Sequence, residues 1–206
     1  MKLYGHPAST CTRKVLCALH EKGAAFDFQI IDITKGEQKS PEHLARQPFG
    51  VVPALEDGDF GLYESRAIIR YLDQVLPGVA LTPADPKARA KMEQWISVEQ
   101  SYFTPPAMKA IMNIWYASMS GNAPDQSVID AGLTGAGKAL DVLESALPEG
   151  GYLAGEFSLA DICYAPYLQY LEDMGIGAII GARPKVAAWW GRIKARPSWR
   201  NAIGKA

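Results

Sequence analysis

Phe49-Gly50-Val51-Val52-Pro53-Ala54-Leu55 is followed, after an Asp57-Gly58 turn, by Leu62-Tyr63-Glu64-Ser65-Arg66. Proline has no N–H for a sheet ladder, so Val52-Pro53 marks the point where a loop enters a strand. A cis bond there would sharpen the bend and leave the N–H and C=O of Val52 facing outward. An extended peptide pairs with such groups as an added strand does. Asp57-Gly58, between Ala54-Leu55-Glu56 and Phe60-Gly61-Leu62-Tyr63, is a hairpin signal. Glu64-Ser65 then opens an amphipathic run, so free amide N–H groups and a hydroxyl point at one spot beside a carboxylate. A helix start favours an anion, and Glu64 suits a neighbouring ammonium. The stretch describes a pocket for a short zwitterionic peptide.

Working outward, Lys2-Leu3-Tyr4 reads as a strand ended by Gly5-His6-Pro7. From Thr10 to Lys22, Val15, Leu16, Ala18 and Leu19 recur at helical spacing, and Gly23 closes the run. Phe26 to Ile33 alternates as a second strand, which predicts a parallel pair with a helical crossover. A helix from Ser65 to Leu76, with Ile68, Tyr71, Leu72 and Val75 on one side, completes a β-α-β then β-β-α order: a mixed sheet carrying helices. Leu76-Pro77-Gly78 and Pro83-Ala84-Asp85-Pro86 break this pattern, and no convincing strand follows. Lys87 to Met119 is predicted helical with a kink at Pro105-Pro106. Val128 to Leu147 is a further helix. Ser158-Leu159-Ala160-Asp161 reads as a capping box with Phe157 and Ile162 as its staple. A last helix through Val186-Ala187-Ala188-Trp189-Trp190 stops near Arg196-Pro197. The expected domains are 1–76 (α/β), a linker at 77–86, and an all-helical part at 87–206.

The chain's 206 residues, 48% of them hydrophobic, can build one large core or two small ones. A net charge of -1, with no basic block longer than Arg13-Lys14, gives no reason to expect nucleic acid or an anionic membrane as partner. Met1 to Pro7 carries no apolar signal core, and no run approaches a membrane span. Cys11, Cys17 and Cys163 are odd in number and at no metal-ligand spacing, which suits a reducing, cytoplasmic setting.

The motifs Gly5-His6-Pro7-Ala8-Ser9, Thr12-Arg13, Leu19-His20-Glu21-Lys22, Pro48-Phe49-Gly50 and Glu64-Ser65-Arg66-Ala67-Ile68 are similar, in order and spacing, to those of the cytosolic glutathione transferases. Within that family they most resemble the phi-type enzymes familiar from plants. Ser158-Leu159-Ala160-Asp161 and Arg196-Pro197-Ser198 match the second domain's habits. The resemblance implies a thioredoxin-like first domain binding glutathione and a helical domain contributing the hydrophobic substrate site. It implies conjugation of the glutathione thiolate to hydrophobic electrophiles, with organic hydroperoxide reduction as an accompanying activity. Glutathione would be a co-substrate with no permanently bound cofactor or metal, and the assembly a homodimer in which Phe49 can anchor a partner subunit. Residue by residue, the match makes Ser9 the hydroxyl that activates the thiol. It makes Ser65 the group taking the γ-glutamyl carboxylate, with Glu64 beside the same moiety. Val52 pairs its backbone with the cysteinyl unit, Pro53 is the cis proline, and Gln38 and Lys39 reach the glycine carboxylate. Val51 departs from the pattern, since a glutamine that contacts the ligand is common there.

Each of these has a plainer reading. Ser9 can be only a helix cap, Lys39 a solvated loop lysine, and Glu64 and Ser65 ordinary first-turn residues. Cys11 is a rival centre, for a thiol-disulfide reductase rather than a transferase. Tyr4 is another rival but reads better as a strand residue. A non-catalytic glutathione-binding module is the third possibility. His6, His20 and His43 have no partner at ligand spacing and read as packing or surface. Met108, Ile111, Met112, Trp115, Tyr116 and Met119 form an apolar stripe that suits either a core or a tolerant cleft. Met112, Trp115, Tyr116 and Met119 are its candidates for the electrophile.

Overall fold

In the computed structural model, which describes residues 1–205, the strands are β1 (Lys2–Gly5), β2 (Asp27–Ile30), β3 (Ala54–Asp57) and β4 (Phe60–Tyr63). They form one sheet in the order β2-β1-β3-β4. β2 is parallel to β1, β3 antiparallel to β1, and β4 antiparallel to β3. Helix α1 (Thr10–Glu21) makes the crossover from β1 to β2, burying Val15, Leu16, Ala18 and Leu19 as their spacing predicts. The second strand is shorter than read and lies at the sheet edge, where Ile30 is 61% exposed. A short helix α2 (Pro41–Arg46), absent from the sequence reading, precedes β3. Helix α3 (Ser65–Val75) packs on α1 through Ile68, Ile69 and Leu72. Val75, read as core, points away at 47% exposure.

The chain divides into two units, Met1–Thr82 with residues 194–205, and Pro83–Ile193. The second holds α4 (Pro86–Val98), α5 (Thr104–Ser120), α6 (Gln126–Ala146), α7 (Leu159–Asp173), α8 (Ala178–Gly181) and most of α9 (Pro184–Lys194). Between α4 and α5 the break is a π-helical segment, Glu99–Phe103. Pro105 and Pro106 fall after it, in the first turn of α5. Phe103, Tyr164 and Trp189 stack in the centre of this unit, with ring centroids 5.2 and 5.7 Å apart along the series. Asp161 closes its capping box by accepting from the Ser158 N–H at 2.8 Å, and it also accepts from Trp189 Nε1 at 2.8 Å. Burial pushes its carboxyl upward against those donors.

Residues 194–205, grouped with the helical part in the sequence reading, belong to the first unit. Helix α10 (Pro197–Ala202) packs on α1, and an ion pair holds it there. Arg196 donates from Nε and Nη2 to the two Glu21 oxygens at 2.6 and 2.8 Å, and the Ser198 hydroxyl donates to the same carboxylate. On the other side of α1, Lys22 Nζ donates to Asp73 Oδ1 at 3.1 Å and to the Val79 carbonyl at 2.9 Å. Both ions of that pair are almost fully buried, so each needs its partners in place.

Burial raises the Glu21 carboxyl, but the bonds from Arg196 and Ser198 outweigh it and hold the group below its ordinary value of 4.5. A depressed carboxylate contributes stability above its unfolded pKa and loses it as pH falls through the folded one. Arg196→Leu, which strands that carboxylate, is therefore expected to cost ~2–3 kcal/mol at pH 7. The penalty should shrink as pH falls below the ordinary carboxyl value of 4.5 and Glu21 takes up a proton. Urea denaturation of both proteins across that range measures it; a penalty independent of pH would exclude the pair as its cause.

Candidate active site

Ala54 pairs with Tyr4 on one side and with Tyr63 on the other. The chain just before Ala54 (Val52-Pro53), just after Tyr63 (Glu64-Ser65) and just after Gly5 (the turn to Ser9) therefore leaves the sheet at one end. Three loops far apart in sequence are brought together by strand register alone.

Ser9 is the N-cap of α1: its backbone is extended, its Oγ accepts from the Thr12 N–H at 3.3 Å, and its own N–H donates to the His6 carbonyl at 2.9 Å. The β1–α1 turn is tight because Gly5 lets Thr12 close in; a Cβ on Gly5 would lie 2.6 Å from Thr12 Cγ2. No described residue accepts the Ser9 hydroxyl hydrogen, which stays free to donate. The first-turn amides of α1 add a positive partial charge at the same place.

Val52-Pro53 is a cis peptide. The residue before it is held by two buried polar side chains that the sequence reading left out of the site. His43 Nε2 donates to the Val51 carbonyl at 2.7 Å, and Gln47 Oε1 accepts from the Val51 N–H at 3.3 Å. Both side chains belong to α2 or its C-terminal cap. The Ser40-Pro41 pair, a cap followed by proline at the first helical position, was the available signal for that helix. Lys39 is exposed but comes to the same turn, its Nζ donating to the Phe49 carbonyl at 3.1 Å. The turn needs glycine at position 50, since φ is +63° and a Cβ would lie 2.7 Å from Lys39 Cδ. Gln38 is half-buried, and its side-chain oxygen has no partner among the described residues.

Ser65 starts α3 and is nearly buried, at 3% exposure. Glu64 caps that helix with φ +71°, the single non-glycine residue with positive φ among those described. Its exposed side chain makes no capping bond to repay that conformation, and such strain concentrates at functional sites. The rivals are otherwise engaged or placed. The Tyr4 hydroxyl donates to Glu56 at 2.7 Å, so its hydrogen is not free for a thiolate; burial and that bond raise its pKa. Cys11 lies in the first turn of α1, half-buried and two residues beyond the cap. Burial pushes the Cys17 thiol far up.

In the second unit, Met112, Trp115, Tyr116 and Met119 lie at i, i+3, i+4, i+7 on one face of α5. Ala107, Ala110 and Ile111 take the core positions, while Tyr116 and Met119 are each 60% exposed. Tyr116 and Met119 border an open surface cleft of about 490 Å³ whose lining also includes Asn122, Pro124 and Asp125. Met112 and Trp115 are half-buried and do not reach it. Among the described residues, no group of three or more His, Cys, Asp or Glu is placed to hold a metal ion, and no helix is long and apolar enough to cross a membrane.

Residues 1–74 match the family model described as the glutathione S-transferase N-terminal domain, and residues 103–197 match the C-terminal domain model. The chain belongs to the glutathione S-transferase family. This transferase is 38% identical to glutathione S-transferase F9 of Arabidopsis thaliana, over all of this chain and 97% of that one. Glutathione transferase F7 of Populus trichocarpa superposes with a TM-score of 0.93 at 39% identity, covering 99% and 98% of the two chains. Maize glutathione S-transferase I in complex with an atrazine glutathione conjugate gives 0.90 at 36% identity, covering 99% and 96%. Within the family, this chain is phi-like, as its kinship with the F enzymes of Arabidopsis and Populus shows.

Replacing the strained residue separates folding from function. Glu64→Gly is expected to gain ~0.5–1 kcal/mol of stability, because glycine adopts positive φ without a Cβ clash. It should weaken glutathione binding at the same time. Thermal melts with calorimetric titration of glutathione check both. A loss of stability would show that the side chain holds the fold.

Proposed function

We propose that this transferase joins the sulfur of glutathione to small hydrophobic electrophiles, with Ser9 holding that sulfur as a thiolate. The observation that carries the reading is the Ser9 hydroxyl. It caps α1 with its oxygen, has its hydrogen unclaimed, and stands at the sheet end it shares with Val52 and Ser65. The tripeptide's parts find matching chemistry there. The free N–H groups of α3 and the Ser65 hydroxyl suit the γ-glutamyl carboxylate, and Glu64 suits its ammonium. Val52 offers main-chain N–H and C=O to the cysteinyl unit, and Pro53 holds the bend beside them. Lys39 spends one of its three N–H donors on Phe49 and has two left for the glycine carboxylate, with Gln38 beside it.

In the reaction, the glutathione thiol loses its proton to solvent, the thiolate attacks the electrophilic carbon, a C–S bond forms and the leaving group departs with its electron pair. A serine is no base at neutral pH, so its part is to donate to the anion. Lowering a thiol pKa from ~8.5 to ~6.5 takes about 2.7 kcal/mol and raises the thiolate fraction at pH 7 from roughly 3% to about 75%. One charge-assisted hydrogen bond at a helix start is of that size. Tyr116 and Met119, the two exposed members of the α5 stripe, are the candidates for receiving the electrophile, and the conjugate held by the maize relative supports a product of this kind. Phe49, 67% exposed with its ring 6.1 Å from that of Tyr63, is the anchor of a homodimer.

Ser9→Ala is expected to lower kcat/KM for an aromatic halide about tenfold to a hundredfold at pH 7, with recovery as pH rises toward the free thiol's ~8.5. Losing the cap costs only ~1 kcal/mol, too little to unfold the domain. Cys11→Ser should keep the rate. Wild-type rates in Ser9→Ala would remove Ser9 from the mechanism, and collapse in Cys11→Ser would transfer the chemistry to the cysteine. Phe49→Ser should convert the dimer to monomer in light scattering; an unchanged dimer would remove Phe49 from the interface.

A further inference from the structure

The turn that presents Val52 is not held by its own side chains. Phe49 and Val51 are 67% and 48% exposed, so burial contributes little to fixing residues 49–51. Both main-chain polar groups of Val51 are instead taken by side chains of the segment before it: the carbonyl by His43 Nε2 at 2.7 Å and the N–H by Gln47 Oε1 at 3.3 Å. The Gln47 carbonyl also accepts from the Gly50 N–H at 2.9 Å. His43 and Gln47 are each 1% exposed.

As core residues these two are poor choices. A carbonyl only accepts, so His43 Nε2 carries the hydrogen it shares with Val51. The other ring nitrogen, Nδ1, is buried with no partner among the described residues. A phenylalanine or leucine would fill the same space without a buried orphan acceptor. The bond to Val51 is what the imidazole accomplishes.

We infer that His43 and Gln47 are positioning residues for glutathione: they clamp the Val51 peptide groups so that the N–H and C=O of Val52 stand ready before the tripeptide arrives. The inference rests on the glutathione-binding reading above. Without the clamp, only the Gly50–Gln47 main-chain bond and the Lys39–Phe49 bond would tie the turn, and the further ordering needed on binding would be subtracted from affinity. Because Val52 meets the peptide alike in the bound and transition states, the cost falls on binding and not on the chemical step.

The test replaces the clamp by shape alone and then restores its hydrogen bonds. His43→Phe and Gln47→Met remove the donor and the acceptor; His43→Gln and Gln47→Glu put them back. Calorimetric Kd and KM for glutathione are expected to rise about five- to tenfold in the first pair, with kcat at saturating glutathione within about twofold of wild type. The restoring pair should return to within about threefold of wild-type affinity. Unchanged Kd in folded His43→Phe and Gln47→Met overturns the inference, as does a loss confined to kcat, or failure of both restoring variants to recover affinity. If a variant does not fold, amide hydrogen exchange of the wild type without glutathione decides. The Val51 N–H should exchange at least about a hundredfold slower than an open loop amide, and open-loop exchange overturns the clamp. Wild type titrated in parallel separates the two readings, since absence of glutathione binding there sinks the functional reading itself.

Discussion

The pairing of Ala54 with both Tyr4 and Tyr63 is the constraint on which the rest depends. That register makes β3 the meeting point of three chain segments and sends Ser9, Val52-Pro53 and Glu64-Ser65 off the same end of the sheet. Slipping the strand by one residue would turn Leu55, now 1% exposed, out of the core and carry Val52 to the other face. The site is thus tied to core packing: the buried Leu3–Leu55 pair and the position of Val52-Pro53 are set together.

Two helix starts do complementary electrostatic work at that end. α1 begins with a hydroxyl whose hydrogen is free, and α3 begins with a nearly buried serine beside a strained, exposed carboxylate. The opposite ends of the same helices are where the unit is tied down. Lys22 and Asp73 bind the ends of α1 and α3 to each other, and Glu21 holds Arg196 and Ser198 of the returning C-terminal segment. Buried ion pairs at one end and unsatisfied helix termini at the other divide the unit into a part that resists change and a part poised to receive charge.

Much of this was legible in residues whose signals are local. Asp57-Gly58 marked the hairpin, Ser158 and Asp161 the capping box, and Val15 to Leu19 the buried face of α1. The family resemblance rested mostly on other residues, Gly5 to Ser9 and Glu64 to Ile68 among them, and was right about the fold. What escaped depends on contacts between distant segments. α2 is too short for a periodic pattern, and its buried residue is a histidine, so nothing apolar announced it. The clasp of Arg196 on Glu21 joins residues too far apart for any spacing rule. Apolar Ile30 lies on an edge strand and Val75 lost its place to Ile69, because burial is decided by which neighbour covers a face. The positive φ of Glu64 has no sequence signal at all in a residue that is not glycine.

A crystal structure with glutathione bound tests the central claim most directly. The account predicts the sulfur within hydrogen-bonding distance of Ser9 Oγ, its cysteinyl main chain paired with Val52 and its γ-glutamyl carboxylate at the start of α3. A sulfur resting against Cys11, or a tripeptide lying away from this end of the sheet, would contradict it.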